Sequence, residues 1–77
     1  MKVLYDPDRD ILQISFRSAS IEETAQITPG FILDYDEDGR IIGLEITNAS
    51  QKVDAPHSIL YQLNRANDNK PLPHTRK

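Results

Sequence analysis

Four acidic residues and a glycine spaced over positions 34–45 are the part of this 77-residue chain whose types and spacing could do chemistry. Asp34, Asp36, Asp38, Gly39 and Glu45 fall at the first, third, fifth, sixth and twelfth positions of a calcium-binding loop, with apolar Ile41 at the eighth. Carboxylates suit a hard cation, and the glycine permits the sharp bend such a loop needs. Asp34, Asp36 and Glu45 are therefore the candidate residues for a cation, a small ligand or the arginine of a protein partner. The flanks contradict a calcium loop, which requires a helix on each side. Thr28-Pro29-Gly30 precedes it with a turn signal, and Ile46-Thr47-Asn48-Ala49-Ser50 follows with no helical run.

The same residues also read as two strands joined at Asp38-Gly39. A two-residue type I′ turn there sets Tyr35 opposite Ile42, Leu33 opposite Leu44 and Phe31 opposite Ile46. Every large apolar residue of one strand then meets an apolar residue of the other. A slip by one residue would set Leu33 against Gly43 and split the apolar set between the two faces. The hairpin satisfies this constraint and the metal loop does not address it. The expectation is a hairpin, with no resident metal or cofactor.

Other chemistry is sparse. His57-Ser58 lies outside any Gly-x-Ser-x-Gly elbow, and adjacent residues of a helix point in different directions, so no triad is supported. His57 and His74 are too few for a metal site. Asp8, Asp10, Glu22 and Glu23 read as turn and surface charges. No catalytic residue is assigned, and the chain is not expected to be an enzyme.

The elements that must position these side chains come from one small domain, expected over 1–66 with a flexible tail over 67–77. There is no Cys, so neither disulfides nor thiolate–zinc sites can supplement its core. Residues 1–54 hold eleven acids and five bases, whereas residues 55–77 hold one acid and four bases. An acidic body opposes phosphate backbones, which argues against nucleic-acid binding. No apolar run reaches membrane-spanning length and the first residues lack a signal-peptide core, so the expected location is the cytoplasm.

Strands are expected over 2–5 and 11–16, around Asp6-Pro7-Asp8-Arg9-Asp10, where a four-residue loop sets Tyr5 against Leu12 and Val3 against Ile14. A third strand over 22–28 leads through Pro29-Gly30 into the central hairpin. Asp54 can cap a helix over 55–66, in which Ile59, Leu60, Leu63 and Ala66 share a face. The predicted class is α+β: a small antiparallel β-meander of about five strands (sheet over 2–46) followed by a C-terminal helix. That helix would cover one sheet face and leave Ile11, Ile32 and Ile41 exposed beside Asp34 and Glu45. Such an apolar cluster marks an association surface. A homodimer or a complex with another protein chain is the expected state, and a small-ligand or cation-binding domain built on Asp34, Asp36 and Glu45 is the alternative.

Tyr5-Asp6, Asp10-Ile11-Leu12-Gln13-Ile14, Pro29-Gly30, Asp34-Tyr35-Asp36, Gly39, Gly43-Leu44-Glu45-Ile46 and Ala49-Ser50 together resemble the small prokaryotic proteins grouped as domain of unknown function 2283. The resemblance covers residues 2–52. It implies that the acidic turn is a structural feature of a hairpin, and it brings no catalytic residues. The association of such proteins with small toxin-like neighbours implies an antitoxin-like role. Residues 53–77 lie outside the pattern, so the helix rests on its periodicity alone.

Overall fold

The computed structural model describes residues 1–65 and consists of five antiparallel strands in one sheet. The strands are β1 (Lys2–Asp6), β2 (Ile11–Ser15), β3 (Glu23–Thr28), β4 (Phe31–Tyr35) and β5 (Ile41–Thr47), followed by a single 3₁₀ turn at Ala49–Gln51. Their order across the sheet is β1-β2-β5-β4-β3. The strand number is as expected, but the path is not a simple meander, because β2 pairs with β5 instead of β3. Composition explains the placement. Ile11–Ser15 and Ile41–Thr47 are rich in β-branched and large aliphatic residues and take the middle, whereas Glu23–Thr28 has few apolar groups and is exposed along its whole length at one edge. Residues 16–22 cross the end of the sheet to reach that edge. They are held by Phe16 N–H to Ile42 O at 2.8 Å and by Glu22 N–H to Tyr35 O at 2.8 Å.

The β1–β2 register is the expected one, with Val3 opposite Ile14 and Tyr5 opposite Leu12 across a four-residue loop. The β4–β5 register agrees from Phe31/Ile46 through Leu33/Leu44 to Asp34/Gly43 and then departs. Asp38-Gly39 is not a two-residue type I′ turn. Gly39 N–H donates to Asp36 O at 3.0 Å and Asp36 N–H donates to Arg40 O at 3.0 Å, so Glu37, Asp38 and Gly39 form a three-residue loop. Gly39 alone of the three has positive φ, at 79°. The longer loop pairs Tyr35 with Ile41, and Ile42 then bulges out of register before Asp34 meets Gly43. One extra loop residue and one bulge offset each other, which is why the inner pairs match the simpler turn.

Of the helix expected over 55–66, the described residues 55–65 form none, so the described chain is mostly β and not α+β. Ala55 takes φ 44°, outside the helical region, and Pro56 after it disfavours a helical Ala55 in any case. One hydrogen bond, Ser58 N–H to Ala55 O at 2.9 Å, closes an isolated turn. Beyond it the described chain has no regular structure. The expected tail over 67–77 lies outside the described residues.

Pairing across the sheet groups the side chains into rows. Val3, Ile14, Leu44, Leu33 and Ala25 form one row, and Tyr5, Leu12, Ile46, Phe31 and Thr28 the next, on the same face. The core sits on the second of these rows. Leu12 (8% exposed), Ile46 (4%) and Ala49 (0%) are its buried members, with Val53 packed beside them, while Ile42 (3%) is buried outside this cluster. Among the described residues no large side chain is completely enclosed. Among the described residues the second layer on this face is the 3₁₀ turn, Val53 and the irregular segment that borders Val3, Leu12 and Ile14, which is less cover than a sheet face normally requires.

Candidate interaction surface

Asp10 organises the end of the molecule where that cover is attached. The four-residue β1–β2 loop forces it into the left-handed region at φ 55°, which Asp tolerates better than most residues. Its Oδ1 accepts the Tyr5 hydroxyl at 2.6 Å and the Ser50 N–H at 2.9 Å, while Oδ2 accepts the Ser50 hydroxyl at 2.7 Å. Its backbone oxygen accepts Ala49 N–H at 3.0 Å. These bonds clamp the 3₁₀ turn onto the loop and press Ala49 onto Leu12 and Ile46. The hydrogen bond from Tyr5, followed by that from the Ser50 hydroxyl, holds the Asp10 carboxyl below its ordinary value. The same bond to Asp10 raises the Tyr5 phenol. Sequence reasoning took Asp10 for a turn charge. The available signal was its recurrence with Tyr5 and Ala49-Ser50 in the family pattern.

A second anchor lies nearby. Lys52 Nζ donates to Thr47 O at 2.6 Å, and its stem crosses Gly30, where an added Cβ would sit 2.6 Å from Lys52 Cε. Gly30 has φ 85°, as the second central residue of the Pro29-Gly30 turn requires.

The predicted acidic site is not assembled. Asp36 turns into its own loop, where Oδ1 accepts Asp38 N–H and Arg40 N–H, each at 2.9 Å. The Arg40 N–H bond is the main reason that its carboxyl lies below the ordinary value. Asp34 and Glu45 remain neighbours on the other face. Asp34 lies against Gly43, where an added Cβ would approach its Oδ2 to 3.1 Å and Ile14 O to 3.1 Å. Partial desolvation there, and then the charge of Glu45, raise the Asp34 carboxyl. Glu45 Oε1 accepts Gln13 Nε2–H at 3.2 Å. Among the described residues no group of three or more His, Cys, Asp or Glu side chains is placed to hold a metal ion. Adding micromolar calcium should leave the amide resonances of residues 34–45 in place, because strand and turn bonds already use this backbone. Asp36→Ala should instead perturb Asp38 and Arg40 with or without calcium. Saturable, calcium-dependent shifts at Gly39 that vanish in Asp36→Ala would overturn this reading.

Of the predicted surface residues, Ile11, Ile32, Asp34 and Glu45 share the second face. Pairing puts Glu45 between Gln13 and Ile32, with Leu4 at the end of that row. Ile41 does not join them by register, since its partner is Tyr35 of the first face. Leu4 was not anticipated on this surface. It is exposed and, with Ile11, Pro7, Arg9, Gln13 and Glu45, borders an open hollow of about 370 Å³. His57 and Ser58 lie on the irregular segment beside Val3 and Tyr5, and His74 lies outside the described residues.

The class defined by these features is a small, single-layer antiparallel sheet whose turns are fixed by carboxylates and whose apolar face is only partly covered by the described residues. A family model described as "Protein of unknown function (DUF2283)" matches residues 2–50, and the chain belongs to that family. The matched segment takes in all five strands and the Asp10–Ser50 clamp, and it stops short of the irregular segment after Val53. No curated protein and no solved structure matches the chain. Among the described residues no helix is long and apolar enough to cross a membrane.

Proposed function

We propose that this protein is a non-catalytic interaction module that works by burying its apolar sheet face against another protein chain, whether its own copy or a different protein. The observation that carries this reading is the row Val3, Ile14, Leu44, Leu33, Ala25. Its Val3 end lies near residues 53–59, yet Val3, Ile14, Leu44 and Leu33 are all only half-buried and Ala25 is exposed. An apolar band continuous across five strands favours association, since each large aliphatic group removed from water contributes about 1.5–3 kcal/mol before the cost of association. The second face supports a further contact of antitoxin-like type. Leu4, Ile11 and Ile32 sit there among Asp34 and Glu45, a combination suited to a basic protein partner.

Sedimentation equilibrium from low to high micromolar concentration, together with affinity capture from the native cell, tests this. Wild-type chain should gain mass with concentration or retain a specific partner, and Leu33→Asp should abolish either behaviour while keeping the sheet's amide pattern. Loss of a basic partner in Ile32→Asp alone would assign that contact to the second face. A chain that stays monomeric and captures nothing specific overturns the proposal.

A further inference from the structure

We infer that the open hollow where β1 begins and β2 ends binds a small phosphate monoester, held by Lys2 and Arg17. Binding there does not depend on the association proposed above. The hollow has a volume of about 400 Å³; Lys2, Ser15, Arg17 and Ser18 form its polar rim, and no carboxylate borders it. Strand pairing builds this rim. Lys2 stands opposite Ser15 in the β1–β2 register, so a cation and a hydroxyl are cross-strand neighbours on the second face. After Ser15 the chain leaves the sheet, and Phe16 N–H and Arg17 N–H both reach Ile42 O, at 2.8 and 3.4 Å. That double contact fixes the backbone against β5 and sets Arg17 and Ser18 on the rim beside Lys2.

Charge selects the ligand. Residues 1–54 hold eleven acids and only five bases, yet two of those bases meet at this hollow. Among the described residues the one ion pair joins Arg40 to Asp38, so neither Lys2 nor Arg17 has a carboxylate partner there. Asp36 and Asp34 compete for these cations only weakly. The Asp36 carboxyl is held low chiefly by the Arg40 N–H, with the charge of Arg17 contributing least, and its Oδ1 is engaged in its own loop. Asp34 shares the row of Lys2, Ser15 and Gly43 but lies three strands from Lys2. That is roughly 14 Å, beyond the ~8–10 Å over which exposed charges act. A phosphate monoester carries about −1.5 to −2 charge at neutral pH and three strong acceptor oxygens. It matches an ammonium, a guanidinium fork and two hydroxyls. A carboxylate, with one charge and two oxygens, leaves one of the cations unneutralised. A nucleic acid would lay further phosphates over the surrounding acids, which repel them. The ligand is therefore a compact dianion.

Titrating the full chain with inorganic phosphate, and separately with phenyl phosphate, at neutral pH and constant ionic strength tests this through its amide resonances. Both probes should give saturable shifts at Lys2 and Ser15–Ala19, half-complete at low millimolar concentration because the rim is open to solvent. Sodium chloride and sodium acetate at matched ionic strength should give no saturable shift. Lys2→Gln and Arg17→Gln should each weaken binding about tenfold, and the double variant about 100-fold. Arg9→Gln, at the opposite end of the β1–β2 hairpin, should leave it unchanged. These side chains are exposed, so every variant should keep the wild-type amide pattern of β3, β4 and β5, and a loss of binding is then not a loss of fold. Acetate that saturates the same amides as tightly as phosphate overturns the assignment. So do shifts that survive in the double variant, which would place the anion elsewhere. Inorganic phosphate that binds where phenyl phosphate does not refutes the monoester.

Discussion

Ile46→Ala is expected to destabilise the isolated chain by about 2–5 kcal/mol, measured by urea denaturation at low micromolar concentration. A domain of this size has only about 3–10 kcal/mol in total, so the variant should be largely unfolded near body temperature. Ile46 stands between Leu12 and Phe31 in the register and is one of three buried members of the core cluster. Ala49 and Val53 reach the sheet at this point, so deleting three carbons leaves a gap that neither small residue can fill. Leu33→Ala, on the same face two strand residues from Phe31, should cost only about 1 kcal/mol in the monomer, since Leu33 is half-buried. The difference between the two variants distinguishes the part of the face that holds the fold from the part that awaits a partner. Equal losses at low concentration would mean that the face is uniformly covered, and would remove the basis for the association proposal.

Local pairing was legible in the sequence because alternation constrains it directly. Val3 with Ile14, Tyr5 with Leu12 and Leu33 with Leu44 each follow from keeping apolar residues on one face. The turn was misread, yet the inner register agreed because the bulge at Ile42 restored what the third loop residue displaced. The β2–β5 pairing was not legible, as a contact between distant strands leaves no local mark; only the apolar richness of both strands hints that they share the centre. The helix failed for the opposite reason. Ile59, Leu60 and Leu63 have helical spacing, but Ala55 precedes Pro56, and all three side chains stay largely exposed instead of sharing one face packed on the sheet. Periodicity records which residues seek apolar contact without naming the geometry of that contact. Of the candidate site, the acidic residues were visible but their roles were not. Asp36 is satisfied by its own loop, and Asp10 acts through Ser50, forty positions away.

Removing the Asp10 carboxylate should lower the melting temperature by about 10 °C, through loss of three side-chain hydrogen bonds and release of the 3₁₀ turn. Asp10→Gly is the cleanest variant, because Gly accepts φ 55° without strain and isolates the carboxylate. Asp10→Asn should fall between Gly and wild type: its amide oxygen can still accept from Tyr5 and Ser50 N–H, and its NH₂ can donate to a rotated Ser50 hydroxyl. The pH dependence follows from the direction of each shift. The carboxyl of Asp10 is lower in the folded state than in the unfolded chain, mainly because Tyr5 donates to it. Its stabilisation is therefore complete above the ordinary carboxylate value of about 4 and is lost as pH falls through the folded value. The Tyr5 phenol is raised in the folded state, so its share is complete below about 10 and is lost as pH rises through the folded value. Wild-type stability should show a plateau between these limits with a limb at each end. Both variants should lose the Asp10 share of the acid limb and the Tyr5 share of the alkaline limb. Variants that melt like wild type, or that keep both limbs unchanged, would show that Asp10 does not hold the turn against the sheet.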